Sequence, residues 1–333
     1  MPANLTPPYK AAEQRYREAT DDAARLEALN EMMQLIPKHK GTEKLQAEIK
    51  AKIAKLKKAP AAKPGGAKAK SLDNIPREGA GQIPLVGPPN CGKSQFLKAV
   101  TRAHPEVADY PFTTRVPTAG MMSWENVKFQ LIDLPPIALQ SFEGWMTSLL
   151  FRADAIFLFA DLSSDDLLDD LEQALAILKE HRILLAHPEF EVSDEDYSLD
   201  EVSKRTFLIA NKADLDEDGI RLGFLQESYG TKYPIYPINS RIGEGVAALE
   251  TDLFRSLKLL RAYTKTPGHP ADLNDPIVLS IGATVEDAAY QIHKDFAQRL
   301  AYAKIWGKGK FDGAHVHNGF VLTDGDVLEF HLK

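Results

Sequence analysis

Apolar positions along this chain follow two periods. Leu45, Ile49, Ile53 and Leu56 recur at spacings of four, four and three, which marks one buried helix face. Residues 23–35 supply a partner helix for that stripe. Residues 59–70 are rich in Ala, Lys, Pro and Gly and read as a flexible linker. Beyond them the pattern alternates: residues 83–86, 128–132, 155–160 and 206–210 are short apolar runs of strand character, while 95–101 and 167–179 are helical in spacing. Such alternation predicts an α/β fold built on a doubly wound, mostly parallel sheet. Pro84 sits in the first strand and has no N–H to give, so a local distortion is expected there. The acidic stretch 189–201 reads as a surface insertion. Pro267, Gly268 and Pro270 mark a second boundary. After it, short strands at 277–280, 303–306, 315–317 and 327–331 accompany a helix opening on Thr284. Asp287 completes its capping box, and Val285, Ala288, Ile292 and Phe296 are its expected buried face.

The first strand runs into Gly87-Pro88-Pro89-Asn90-Cys91-Gly92-Lys93-Ser94, a complete G-x-x-x-x-G-K-S phosphate loop. Successive backbone N–H groups can curl around phosphates there, Lys93 neutralises the outer oxygens, and the Ser94 hydroxyl can ligate Mg²⁺. Gly92 leaves room for the phosphates, and the helix that Gln95 enters adds its positive end. Asn211-Lys212-Ala213-Asp214 follows a second strand. An ionised carboxylate only accepts, and guanine offers it two adjacent donors, a ring N–H and an exocyclic amine; adenine has no such pair. Asp214 therefore points to guanine and away from ATP, with Asn211 tying the loops together and the Lys212 stem covering the base.

With these motifs in place, the chain resembles the Obg and DRG branch of the translation-factor-like GTPases, most closely DRG-like proteins with a C-terminal TGS domain. The resemblance rests on the Gly87 loop, on Asp109-Tyr110-Pro111-Phe112-Thr113-Thr114 as first switch, on Asp133-Leu134-Pro135 as second switch, on Asn211-Lys212-Ala213-Asp214, and on Asn239-Ser240 with Gly243-Glu244-Gly245. Ile36-Pro37-Lys38-His39-Lys40-Gly41-Thr42-Glu43-Lys44 is similar to the family's N-terminal helical segment. Thr284-Val285-Glu286-Asp287 and Ile292-His293-Lys294-Asp295 are similar to its TGS helix, which implies a β-grasp domain. The domain that eukaryotic DRG proteins insert within the G domain has no counterpart here. The resemblance also implies that Asn239, Ser240 and Arg241 support the guanine carbonyl, although Asn239 and Ser240 replace the usual Ser-Ala pair.

Thr114 is the expected Mg²⁺ ligand of the threonine pair, and Asp133 would hold the metal through its water shell; hard oxygens suit phosphate-bound Mg²⁺. Pro136 departs from the family's Asp-x-Pro-Gly, whose glycine N–H senses the γ-phosphate. Either a neighbouring donor such as the Ile137 N–H rebuilds that trigger, or the protein binds GTP with a weak switch and slow hydrolysis. Ile137 also stands where many small GTPases place a water-orienting glutamine, and an apolar side chain cannot position water. In relatives of this kind an asparagine equivalent to Asn90 helps bind a K⁺ that acts where an arginine finger would; bracing the first switch is the equal alternative for Asn90.

The 333 residues divide into a helical segment (1–58), a basic linker (59–78), a G domain (79–264) and a TGS domain (272–333). A net charge of −7 conceals an asymmetry: residues 38–70 hold eleven lysines against Glu43 and Glu48, which makes this stretch +9 and leaves −16 elsewhere. That stretch can track phosphates, so ribosome or RNA is the expected partner through Lys38, Lys70 and the lysines between them, together with the TGS domain; DNA is not expected, and a protein activator remains open. No apolar run approaches a membrane span and the start is polar, so the expected location is cytoplasmic. The single cysteine, Cys91, excludes an internal disulfide and is read as a small tolerated side chain. His315 and His317 share a strand face without further ligands and suggest no metal site. The expectation is a GTPase using GTP and GDP with Mg²⁺, with K⁺ as the further candidate cofactor and Lys93, Thr114 and Asn90 serving hydrolysis.

Overall fold

The computed structural model describes residues 7–19, 22–36, 43–58, 75–101, 117–138, 141–189 and 201–332. The first switch, residues 109–114, lies outside the described residues, as do the linker 59–74 and residues 190–200 of the acidic stretch.

Three helices open the chain: α1 (Pro7–Glu18), α2 (Asp22–Leu35) and α3 (Glu43–Lys58). Pro7 and Pro8 stand in the first turn of α1, where the missing N–H groups have no intrahelical partner to lose. Tyr9, Ala12, Leu29, Met32, Ile36 and Ile49 form their common core, with Leu45 and Ile53 packed partly buried against it. The stripe read from the sequence is therefore a packed face as far as Ile53; the Leu56 side chain lies outside the description.

The central domain runs β1 (Gln82–Val86), α4 (Lys93–Val100), β2 (Thr118–Trp124), β3 (Val127–Asp133), α5 (Gly144–Arg152), β4 (Ala155–Asp161), α6 (Leu167–Glu180), β5 (Ile183–Ala186), β6 (Val202–Asn211), α7 (Ile220–Tyr229), β7 (Ile235–Ile238) and α8 (Val246–Ser256). The strand order is β2-β3-β1-β4-β6-β5, with β7 also paired to β6, and every pairing except β2–β3 is parallel. Alternate residues of each central strand enter opposite cores. Ile156, Leu158, Leu208 and Ala210 face the core closed by α5, α6 and α7, while Phe157, Phe159, Phe207 and Ile209 face that of α4 and α8. Burial on both sides explains why these strands read as unbroken apolar runs. Phe96 of α4 meets Phe157 and Phe159 edge-on, with ring centres 6.1 and 5.3 Å away. Pro84 has its consequence in the ladder: β1 pairs with β3 from Gln82 to Leu85, but with β4 only at Leu85 and Val86.

The last domain comprises β8 (Leu259–Thr264), β9 (Asp272–Ser280), α9 (Val285–Ile292), α10 (Lys294–Gln298), β10 (Leu300–Trp306), β11 (Ala314–Val316) and β12 (Asp326–Leu332), in the order β11-β10-β12-β8-β9. Its β8 and β12 are parallel neighbours. This corrects the boundary expected at residue 264: β8 belongs to the second sheet, so the G domain ends with α8, and the Pro/Gly cluster at 266–274 lies within the last domain. The Thr284–Asp287 capping box is present, but α9 stops at Ile292, which is 45% exposed, and Phe296 belongs to α10. Val285, Ala288 and Ala289 form the buried face instead.

Both flanking parts touch the G domain. Asn126, in the β2–β3 turn, donates from Nδ2 to Tyr263 Oη (2.8 Å) and to Leu273 O (2.9 Å). Arg261 pairs with Glu125 and with Asp324 (2.8 Å), its guanidinium over the Trp124 and Phe254 rings. On the other side, Arg77 pairs with Asp154 at 2.5 Å and approaches Glu18 at 3.9 Å.

Beneath the helical segment, Lys204 is buried and donates from Nζ to Phe151 O (2.7 Å) and Ala153 O (2.6 Å), closing the end of α5. Burial, reinforced by the positive charge of Arg17, pulls its ammonium down to about 7. Above that value the unfolded chain holds the extra proton, so stability rises with pH from about 7 toward the ordinary lysine range. Chemical denaturation should show roughly 1–2 kcal/mol more stability at pH 9 than at pH 7, and Lys204→Met should flatten that rise.

Candidate nucleotide-binding site

The loops at the carboxyl ends of β1, β3, β4, β6 and β7 converge, which is where open α/β sheets bind ligands. The turn from β1 into α4 needs a left-handed residue at Gly92, whose φ is +91°. A Cβ there would stand 2.2 Å from Asn211 Nδ2, so glycine is required by conformation and by space. Asn211 is 1% exposed and ties three loops: Nδ2 donates to Cys91 O at 2.7 Å, and Oδ1 accepts from Ser240 Oγ at 2.6 Å. The tying role read for Asn211 is thus seen directly. Ser240 takes part through its hydroxyl, a contact that backbone reasoning missed.

Lys93 is 6% exposed, and its ammonium donates to Gly87 O and Pro88 O, both at 3.1 Å. These carbonyls hold the charge at the mouth of the loop. Asn90 is exposed with φ +60°, and its side chain makes no hydrogen bond among the described residues. Pro89 and Gln95 are exposed on either side of the turn. Cys91 is buried and donates from Sγ to Pro88 O at 3.0 Å. Burial outweighs the nearby Lys93 and pushes its thiol up, which suits an inert packing residue.

Ser94 donates its hydroxyl to Asp133 Oδ2. Asp133 Oδ1 is buried without a partner among the described residues. Desolvation pushes this carboxyl above its ordinary value, against the pull of Ser94 and Lys93. A hydroxyl and an under-satisfied carboxylate, both hard oxygen donors beside a phosphate loop, fit a Mg²⁺ ion. Thr114, the third expected ligand, lies outside the described residues.

In the base loop Lys212 adopts φ +59° and extends to Asp161 Oδ2 (2.5 Å) and Ser163 Oγ (3.3 Å). Asp161 escaped the sequence reading because its place beside the loop comes from the β4–β6 register, which aligns it with Asn211. Asp214 stands in a short 3₁₀ turn, its side chain 28% exposed, with Arg241 Nη1 3.9 Å from Oδ2. Asn239 Oδ1 accepts from the Arg241 N–H at 3.0 Å and shapes the third loop. The second switch is pinned: the Ile137 N–H donates to Gly87 O at 3.0 Å, and its side chain is 3% exposed within the core. The donor proposed to replace the missing Pro136 N–H is therefore engaged by the phosphate loop.

Two families match the chain: residues 82–212 match the 50S ribosome-binding GTPases, and residues 261–332 match the TGS domain. The chain joins a P-loop GTPase domain to a C-terminal TGS domain, and it is similar to the DRG-type proteins. Three relatives match over more than nine-tenths of both chains. An uncharacterized GTP-binding protein of Methanocaldococcus jannaschii is 28% identical, over 92% of this chain and 91% of its own. Developmentally-regulated G-protein 3 of Arabidopsis thaliana is 27% identical, over 93% and 98%. Ribosome-interacting GTPase 1 of Saccharomyces cerevisiae is 25% identical, also over 93% and 98%. Among solved structures, a GTP-binding protein of Pyrococcus horikoshii superposes with a TM-score of 0.48 at 16% identity, over 76% of this chain and 100% of that one.

Proposed function

We propose that this DRG-type protein binds GTP with Mg²⁺ at the Gly87 loop, hydrolyses it to GDP and phosphate, and acts on the ribosome or another RNA in the cytoplasm. The observation that carries the reading is the meeting of Ser94 and Asp133, with a buried carboxylate oxygen left over, next to the buried Lys93 ammonium. Asp214 supplies guanine selectivity through a bidentate carboxylate. Lys93 passes its hydrogen bonds from the Gly87 and Pro88 carbonyls to phosphate oxygens, and Ser94, Asp133 and Thr114 hold the metal. Bound Mg²⁺ neutralises charge that develops on the phosphates. Ile137, sunk in the core, cannot orient the attacking water; Asn90 would either hold a K⁺ ion whose charge offsets that developing on the phosphates or brace the first switch. Single-turnover hydrolysis is expected to run at least about tenfold faster in K⁺ than in Na⁺ buffer. Equal rates would remove the K⁺ role.

The partner reading draws on the name of the yeast relative, on the TGS domain and on the basic stretch 38–70. Association with RNA should weaken steeply with salt. Among the described residues no helix is long and apolar enough to cross a membrane.

A second reading has its own support. Pro136 has no N–H, and that of Ile137 is bound to Gly87 O, so γ-phosphate sensing demands that a packed segment detach. On this reading the chain is a nucleotide-responsive binding protein with little turnover. Measuring turnover with and without ribosomes separates the two: hydrolysis that stays negligible in both favours the second.

A further inference from the structure

The groove between the N-terminal ends of α6 and α7 takes no part in the nucleotide site. It encloses a cavity of about 480 Å³. One wall is apolar where a solvated helix is ordinarily polar: Ile220 and Phe224, one turn apart on α7, are each 53% exposed. Single exposed apolar side chains are ordinary, but Ile220 and Phe224 stand together on the wall of one cavity, whose lining also includes Leu167 and Leu168. The opposite rim is acidic. Asp165, Asp166 and Asp169 are exposed, and Asp218 joins them from the α7 side. Arg221, the one cation among the residues lining the groove, is held at 2.6 Å by Asp165. Favourable interaction with the helix dipole accounts for Asp169 and Asp170 in the first turn of α6, but not for Ile220 and Phe224 standing in water. The carboxylates also crowd one another: burial first, then Asp166, Asp161 and Asp169, raise the Asp170 carboxyl.

We propose that this groove docks a cationic amphipathic helix of a partner protein, which seats apolar side chains against Ile220 and Phe224 and sets lysines or arginines over the Asp165, Asp166 and Asp169 rim. An apolar strip bordered by charge of one sign is how helix-in-groove recognition combines affinity with specificity. RNA is repelled by the same rim. Lys212 and Asp214 are absent from the groove's lining, so a docked helix leaves the base loop's ligands free.

The test uses the full chain and three labelled synthetic peptides about four turns long: a Leu/Lys amphipathic helix, its Leu/Glu counterpart, and a Ser/Lys peptide of equal charge. Fluorescence anisotropy should show the Leu/Lys helix binding at least about tenfold more tightly than the other two. That binding should fall by about tenfold or more in Ile220→Ser/Phe224→Ser, and likewise in Asp165→Asn/Asp166→Asn/Asp169→Asn. GTP affinity should be unchanged and thermal midpoints should fall by no more than a few degrees, since all five side chains are exposed and outside the nucleotide site and only the exposed Asp165–Arg221 pair and the Asp169 dipole contact are lost; should the first variant fail to fold, the second carries the test. A Leu/Lys helix that fails to bind, binds both variants as it binds the parent, or is matched by either control peptide overturns the proposal. So does self-association of the parent chain that the Ile220→Ser/Phe224→Ser change abolishes, which assigns the groove to a second copy.

Discussion

Asparagine in place of Asp214 is expected to lower GTP affinity by two to three orders of magnitude, about 3–4 kcal/mol, with little change in fold stability. The carboxylate accepts from two neighbouring guanine donors at once. An amide keeps one acceptor and turns a donor toward the other hydrogen, so one bond is lost and a repulsion takes its place. Stability is spared because Asp214 is partly exposed and its contact with Arg241 spans 3.9 Å. The same chemistry predicts a gain: a purine with a carbonyl in place of the exocyclic amine offers an acceptor that the new amide can serve. Titrating parent and variant with GTP and with xanthosine triphosphate measures both effects. An unchanged preference for GTP would remove Asp214 from base recognition.

Gly92→Ala should be more damaging, because strain and collision act together. A left-handed φ of +91° costs alanine about 1–2 kcal/mol. The new methyl would stand 2.2 Å from Asn211 Nδ2, and the amide cannot retreat without releasing Cys91 O and Ser240 Oγ. Each buried polar group left without a partner costs roughly 1–3 kcal/mol. The expected result is a fall in stability of several kcal/mol and GTP binding weakened by about 10³-fold or more. Gly268→Ala is the control: its φ is +80°, but no atom lies within 4 Å of the added carbon, so only strain of about 1 kcal/mol should appear in denaturation. Equal effects of the two substitutions would mean that the contact with Asn211 does not hold the loops.

Local chemistry explains what was legible in the sequence. A phosphate loop is a contiguous run whose backbone does the binding, so Gly87, Gly92, Lys93 and Ser94 announce themselves, and double-sided burial writes β4 and β6 as apolar runs. Contacts set by the packing of distant elements were harder to foresee. Asp161 holds Lys212 only because β4 and β6 align Asp161 with Asn211. The segment Leu259–Thr264 reads as a strand in either domain, and its pairing with β12 is what places it in the second sheet. Ile292 and Phe296 keep a helical spacing, yet the extended backbone at His293 breaks the phase between α9 and α10 and leaves Ile292 exposed. Pro136 was visible as a departure from the family, while the lock on the neighbouring Ile137 N–H needed the fold that brings Gly87 O to it.

Calorimetric titration of the full chain with GTP, GDP and ATP in Mg²⁺ tests the central claim most directly. Saturable heat with both guanine nucleotides, and ATP binding weaker by at least about 100-fold, is the predicted result. No heat with GTP or GDP, or equal affinity for ATP, would contradict it.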